Sequence, residues 1–282
     1  MKSFAEKNAL ITGGSSGIGL ALAVKLANLG ANIWLLGRDP QKLEKAYQEV
    51  IISRLDTSQQ VHTIQADVAD KEGLDQAVDG LLNQIGAPDL LINSAGITHP
   101  GLFDQMDLSF HRDNMEINYF GTLYTTMAVV PGMIKRNSGH IVNISSLVGI
   151  HGLYGYSAYA PSKFAVKGLS DVLRYELRPL GIKVSVVFPS DTDTPQLEYE
   201  NKYKPPVLKA LVESNSKPFS AQFVADKIIR GIMKEKYFIL PTTDSVLWFT
   251  AYSLLPGELV YRLVDLLMVQ ARRKAAQHIT GK

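Results

Sequence analysis

The sequence predicts a doubly wound α/β fold, a parallel sheet with helices on both faces, extended at the C-terminus by an apolar helical tail. Three observations predict it. Short apolar runs alternate with longer stretches of helical periodicity through most of the chain, the pattern of βαβ units whose sheet is covered on both sides. The first apolar run leads into a glycine-rich segment that opens directly into a helical pattern. No internal repeat, low-complexity run or linker divides residues 1–240, so one large core serves the body. The chain accordingly divides into a body over residues 1–244 and a tail over residues 245–282.

Taken in order, residues 8–12 form the first predicted strand. Gly13, Gly14, Ser15, Ser16, Gly17, Ile18 and Gly19 follow it, and a helical pattern runs over 20–29. Strand, glycine loop and helix in this order make a cradle for a dinucleotide phosphate: glycines admit the pyrophosphate to the backbone, and the helix start supplies N–H groups and the positive end of its dipole. A tight turn is the plainer alternative. This context makes the predicted fold Rossmann-type. The second strand, residues 32–36, ends in Gly37 and Arg38. An acid commonly stands there to bind a ribose 2′-hydroxyl, whereas a guanidinium suits a 2′-phosphate, so NADP(H) is favoured. Asp39 and Pro40 read as the cap and first residue of the next helix. A strand over 61–66 brings Asp67 and Val68 to the adenine end. A strand over 90–92 brings Asn93, Ser94, Ala95 and Gly96 to the same edge, where small residues admit a cofactor close to the backbone.

Residues 109–135 form a long helical stretch in which Asn118 stands among apolar neighbours, as a satisfied buried amide does. The strand over 140–144 ends in Ser145 and Ser146, thirteen residues before Tyr159. Gly149, Gly152 and Gly155 between them predict a loop that folds back and brings Ser146 near Tyr159. Tyr159 and Lys163 lie four residues apart, on one face of a helix with about 3.6 residues per turn. A cation beside a phenol favours the phenolate and lowers its pKa, so the pair is read as a proton-transfer device. Pro161 is compatible with a helix that starts just before Tyr159. Neither serine lies in a Gly-x-Ser-x-Gly elbow, which argues against a hydrolase nucleophile.

These residues resemble the short-chain dehydrogenase/reductase family in order and spacing: Thr12-Gly13-x-x-x-Gly17-Ile18-Gly19, Asn93-Ser94-Ala95-Gly96, Asn118, Ser146 and Tyr159-x-x-x-Lys163. The likeness covers about residues 5–195. Ser94 departs from it, standing where a second asparagine is usual. The resemblance implies that Tyr159 is the acid/base and that Lys163 holds the nicotinamide ribose. It implies that Ser146 orients the carbonyl and that Asn118 positions a relay water. It also assigns Pro189, Thr192 and Thr194 to the cofactor. The run Asp191-Thr192-Asp193-Thr194-Pro195 is similar to that of the 3-ketodihydrosphingosine reductases, which implies NADPH-dependent reduction of a long-chain 3-keto lipid. Another apolar carbonyl, such as a steroid or retinoid, and a non-catalytic dinucleotide-binding scaffold are the alternatives. Residues 196–220, with Pro205-Pro206 and a mixed-charge run over 198–204, are read as a substrate lid. The family also implies a homodimer or homotetramer built on helices 109–135 and 159–179.

The tail begins with ten apolar or uncharged residues, 246–255, and is broken by Pro256-Gly257. A second apolar pattern over 259–269 is interrupted only by Arg262 and Asp265, and ends near Arg272, Arg273 and Lys274. Both runs are shorter than the ~20 residues that span a bilayer. They predict either a helical hairpin in the membrane interface, its basic end against anionic lipid, or a surface packed on protein. Trp248, Phe249, Leu254 and Leu255 are expected among its most exposed residues. A net charge of +2 argues against a dedicated nucleic-acid binder. The absence of cysteine excludes disulfides and thiolate metal sites, and no metal site is expected. The N-terminal residues lack a secretory signal pattern. The expected location is cytoplasmic, at the cytoplasmic face of a membrane.

Overall fold

The computed structural model describes residues 2–212 and 217–280, the last three of these as backbone only. Five parallel strands form at the predicted places, β1 (Asn8–Thr12), β2 (Asn32–Gly37), β3 (Val61–Gln65), β4 (Leu90–Asn93) and β5 (Gly139–Ile144), and β6 (Ile182–Val187) joins them. The order across the sheet is β3-β2-β1-β4-β5-β6, and every pairing is parallel. The chain winds outward from β1 through β2 to β3, then returns to β4 on the other side of β1. The crevice between β1 and β4 is therefore the topological switch point, where an open α/β sheet binds its ligand at the strand C-termini. β4 is buried along its whole length, while the edge strand β3 has three exposed side chains, His62, Thr63 and Gln65. That difference explains why the central strands read as unbroken apolar runs.

Helices cover both faces. On one face α1 (Gly17–Asn28) and α2 (Pro40–Ile52) place Leu22, Leu26, Leu43 and Val50 against the sheet. On the other, α3 (Lys71–Ile85) contributes Leu74 and Val78. Asp39 caps α2 as expected, accepting hydrogen bonds from Gln41 N and Lys42 N at 3.0 and 3.1 Å, with Pro40 at the first helical position. The predicted helix over 109–135 is a composite. α4 (Leu108–Asn114) passes through one π turn, Met115–Phe120, into α5 (Gly121–Lys135). Asn118 lies in the π turn, a local widening that is frequent at functional sites. α6 (Tyr159–Leu177) starts at the predicted tyrosine.

Past β6 the structure adds what local pattern did not show. Thr192–Asp193 and Phe219–Ser220 pair as a two-stranded ribbon, β7 and β8. Between them lie α7 (Pro195–Tyr203) and α8 (Pro206–Val212). The predicted lid is thus largely helical over its described residues and ends in β8, and its residues 213–216 fall outside the described ones. α9 (Ala221–Met233) joins the first face, with Val224, Ile228 and Ile232 in its core. Phe238–Ile239, β9, then pairs with β6 as a seventh sheet strand too short to be read from the sequence.

The tail forms the expected helical hairpin about Pro256-Gly257: α10 (Thr243–Leu254) and α11 (Gly257–Thr280). Thr242 and Ser245 make a reciprocal cap at the start of α10, and Ser190 Oγ donates to Thr242 Oγ1 at 3.0 Å. This bonding ties the tail to the loop after β6. The expected exposure of Trp248 and Phe249 is not met. Phe249 packs on Phe188 and Phe238, with ring centroids 6.3 and 4.8 Å away, and Trp248 packs on His151 at 4.9 Å. Leu254 and Leu255 are exposed, as expected. α11 returns across α8, burying Val260, Ala271 and Ala275.

Candidate active site

The glycine loop is shaped by contacts that exclude a side chain. Gly13 and Gly17 adopt φ of +63° and +56°. A Cβ on Gly13 would stand 2.8 Å from Ala95 Cα, and one on Gly19 would stand 2.4 Å from Gly13 O. Thr12 Oγ1 accepts from Ser94 N and Ala95 N, both at 3.1 Å, and so locks the loop after β4 beside the loop after β1. Ser16 is the extended N-cap of α1, and its hydroxyl makes no capping bond. The free N–H groups of the first turn and this hydroxyl border the cleft, an arrangement that fits a pyrophosphate. Ile18, just inside the helix, lines the same cleft.

At the end of β2, a Cβ on Gly37 would lie 3.3 Å from Ser15 Oγ. Arg38 is exposed and forms an ion pair with Asp67 at 3.6 Å. Asp39 is occupied by its cap, so no carboxylate within β2 or its cap is free to meet a ribose 2′-hydroxyl. Ser15 and Arg38 instead offer a donor and a cation, which suit a 2′-phosphate. Val68 turns its side chain into the core. A Cβ on Gly121 would stand 2.7 Å from Val68 Cγ2, so only the backbone of Val68 is left to border an adenine.

Two predicted polar residues lie behind the cleft. Asn93 is buried, and its amide donates to Asn143 Oδ1 at 2.8 Å and Thr126 Oγ1 at 3.1 Å. Its side chain therefore braces β4 against β5, and the small residues Ser94, Ala95 and Gly96 form the cleft wall. Asn118 is fully buried. Its Nδ2 donates to Ile97 O at 2.9 Å and Ser162 Oγ at 2.8 Å, and its Oδ1 accepts from Ile97 N at 2.8 Å. The amide thus pins the loop after β4 to the first turn of α6, beside Tyr159.

Ser146, Tyr159 and Lys163 meet in one cavity of about 590 Å³, which Pro189, Thr192 and Thr194 also line. The loop between Ser146 and Tyr159 folds back as expected. Gly155 has φ +81°, and a Cβ on Gly149 would collide with Ser145 Oγ at 2.3 Å. Ser145 Oγ donates to Lys163 O at 2.9 Å, which fixes the end of β5 to α6. The two adjacent serines therefore divide the work, one structural and one facing the cavity. Lys163 Nζ donates to Ile144 O at 3.1 Å and lies 5.6 Å from the Tyr159 ring centroid.

The electrostatics correct one expectation. Tyr159 is not lowered in this structure: burial, and then the Glu200 carboxylate, push its phenol above the ordinary tyrosine range, while hydrogen bonds with Ser146 and Gln196 pull the other way. Burial also pushes Lys163 down to about 8. Helical spacing placed the two side chains together, but the surrounding protein sets their charge states.

Comparison with known proteins agrees with this geometry. A family model described as short chain dehydrogenase matches residues 7–204. The chain belongs to the short-chain dehydrogenase family. Similar proteins include a 3-dehydrosphinganine reductase of Danio rerio, 40% identical over 207 residues, which are 73% of this chain and 62% of that protein. A 3-ketodihydrosphingosine reductase of Mus musculus is 37% identical over 231 residues, 81% of this chain and 69% of that one. The matched chain thus spans under two-thirds of the zebrafish protein. Among solved structures, a short-chain dehydrogenase from Sphingobium yanoikuyae in complex with NADPH has a TM-score of 0.75 at 26% identity, covering 91% of this chain and 95% of that one.

This short-chain dehydrogenase carries further cavity residues that the sequence did not single out. Tyr156, Gln196 and Glu200 line it with Ser146, Tyr159 and Lys163, as does Asp191 of the run already noted. Leu211, Val212, Leu247, Trp248, Val264 and Leu267 form an apolar wall drawn from α8, α10 and α11. Glu200 and Lys204 belong to a mixed-charge run that reads as a solvated surface, yet both side chains are under a tenth exposed. No local signal separates a buried Glu-x-x-x-Lys pair from an exposed one.

Proposed function

We propose that the protein reduces the 3-keto group of a long-chain sphingoid base, converting 3-ketodihydrosphingosine to dihydrosphingosine with NADPH. The observation that carries this reading is one continuous cavity. Ser146, Tyr159 and Lys163 form one part of its lining, and apolar residues of the tail form another. A small polar ketone has no use for the second part, whereas an alkyl chain buries against it. The names of the similar proteins support the same substrate class.

The residues at the mouth of the glycine loop would hold the dinucleotide, with Ser15 and Arg38 toward a 2′-phosphate. When bound, the reduced nicotinamide supplies the hydride that goes to the carbonyl carbon. Ser146 and Tyr159 hold the carbonyl oxygen between two hydroxyls and so stabilise the negative charge that develops on it. The Tyr159 O–H proton passes to that oxygen, leaving an alcohol and a phenolate. A proton donor kept neutral by burial is suited to this direction, since the phenol is fully protonated before the step. Lys163, held by Ile144 O, stands where its charge can stabilise the phenolate left behind. The test is NADPH oxidation against a panel of ketones. Turnover of 3-ketodihydrosphingosine above that of steroid and retinoid carbonyls supports the reading, and the reverse order overturns it.

The same proposal gives the outer face of the tail a role. Leu254 and Leu266 are 77% and 62% exposed, and Arg272, Arg273 and Lys274 are exposed at the end of the hairpin. Among the described residues no helix is long and apolar enough to cross a membrane. A hairpin lying in the interface at the cytoplasmic face of a membrane matches this surface, and it would bring the apolar cavity wall to the source of the lipid. Exposed Met127 on α5, and Phe164, Val172 and Tyr175 on α6, would likewise be covered in a homodimer or homotetramer.

A further inference from the structure

The cavity holds a charge arrangement that ketone reduction does not need. Glu200, on α7, is 6% exposed. It accepts a hydrogen bond from Tyr156 Oη at 2.6 Å and another from Gln196 Nε2 at 3.3 Å. The cation facing it, Lys204 Nζ, is 3.8 Å from Glu200 and 3.5 Å from Asp191, and so is divided between two carboxylates. Because the half-exposed Asp191 draws on the same cation, buried Glu200 has less than a full counter-charge when both acids are ionised. Burying a carboxylate is costly unless a cation or donors compensate it. Burial does push the Glu200 carboxyl above its ordinary range, with Tyr156 and Lys204 only opposing the effect.

The position of this deficit matters. Gln196 and Glu200 stand one turn apart on α7, and Gln196 is hydrogen-bonded both to Glu200 and to the Tyr159 phenol. The rings of Tyr156 and Tyr159 are 5.8 Å apart. Glu200 is therefore linked through Gln196 to the hydroxyl that would hold the carbonyl oxygen. The same cavity is also lined by the apolar surface of α8, α10 and α11. A ligand that meets both has an alkyl chain and a cation near its carbonyl.

We propose that Glu200, with Asp191 and Lys204 behind it, is a specificity-determining site for a primary ammonium on the carbon next to the reacting ketone. This rests on the reading of the enzyme as a long-chain ketone reductase and deepens it: the preferred substrate class is the α-amino ketone, chosen over the equally long neutral ketone. An ammonium seated there restores charge balance in the corner and fixes which face of the carbonyl is presented. A neutral amide at the same carbon leaves the carboxyl without its counter-charge.

The experiment compares two ketones of equal chain length, 3-ketodihydrosphingosine and its desamino analogue, with the unmodified enzyme and with Glu200→Gln. The unmodified enzyme favours the amino ketone in kcat/KM. In Glu200→Gln the amino-to-desamino ratio falls by about tenfold or more, mainly through KM, as removal of a buried charge partner does. A parallel loss on both ketones, or an unchanged ratio, overturns the assignment. Turnover of neither long-chain ketone by the unmodified enzyme overturns the substrate reading beneath it, which separates the two failures. An inhibition measurement on the unmodified enzyme is independent of how the variant folds. Dihydrosphingosine should inhibit about tenfold or more better than its N-acetyl derivative, and equal inhibition also overturns the proposal.

Discussion

Tyr159 and Lys163 show how one helix turn is necessary and insufficient for a proton-transfer pair. Burial opposes ionisation of both, raising the phenol and lowering the amine. Replacing Tyr159 with Phe keeps the ring and removes the proton donor, so kcat should fall by about 10²–10⁴-fold while NADPH binding persists. Fluorescence titration with NADPH beside steady-state turnover tests this, and activity within twofold of the parent contradicts it. Lys163 makes a prediction about stability. Its folded pKa, about 8, lies below the ordinary 10.5. Between those values the unfolded chain binds more protons than the folded one, so stability rises with pH through that window. Below about pH 8 the folded protein carries the full penalty of a buried charge. Lys163→Met, without cofactor, should therefore melt higher at neutral pH by roughly 2–4 °C, corresponding to about 1 kcal/mol, while losing activity. The gap should narrow as pH is raised from 8 toward 10. A gap that does not change with pH assigns the effect to packing instead.

At the scale of elements, the end of β2 and the tail hairpin each carry a selectivity. Gly37 and Arg38 close β2, and Asp39 is committed to capping α2. Gly37→Asp combined with Arg38→Leu adds an acceptor for a 2′-hydroxyl and removes the cation suited to a 2′-phosphate. The ratio of kcat/KM for NADPH over NADH should drop by at least about tenfold. If the unmodified enzyme already prefers NADH, the role given to Arg38 is wrong. The hairpin α10–α11 has two faces with different duties. Trp248, Val264 and Leu267 line the cavity, while Leu254 and Leu266 point outward. A chain ending at Asp244 should lose long-chain activity, because the cavity loses a wall, yet retain turnover of a short soluble ketone. Equal retention on both substrates would show that the wall does not hold the chain.

For the whole molecule, the question is where the exposed apolar surface goes. Leu254→Glu with Leu266→Glu leaves the cavity wall in place and puts two charges on the outer face. Co-sedimentation with anionic vesicles should be lost, and each nearby Lys or Arg contributes about 1 kcal/mol that salt weakens. Retention of binding by this variant at physiological salt would refute membrane docking through the hairpin. The surface of α5 and α6 makes a separate claim. Val172→Arg should shift the sedimentation coefficient toward that of a monomer, since Val172 is 52% exposed and would be buried between copies. An unchanged sedimentation profile would place the subunit contact elsewhere.

The sequence alone determined the strand order's raw material and many of the residues that line the cavity. Buried parallel strands must be apolar throughout, a phosphate loop must have glycine where a Cβ would strike Ala95 or Gly13, and a tyrosine and lysine four apart must share a helix face. These are local constraints, and each leaves a mark in adjacent residues. Tertiary structure decided what depends on distant partners. It turned the amides of Asn93 and Asn118 into braces behind the cleft and packed Trp248 and Phe249 where solvent exposure was expected. It added β9 to the sheet and reversed the expected direction of the Tyr159 shift. It also buried Glu200 and Lys204, whose spacing is the same as that of any solvated ion pair. Burial is a property of what a residue is folded against, and for these residues the covering elements come from elsewhere in the chain: β5 and α5 over Asn93, α6 over Asn118, and the tail against the loops after β5 and β6.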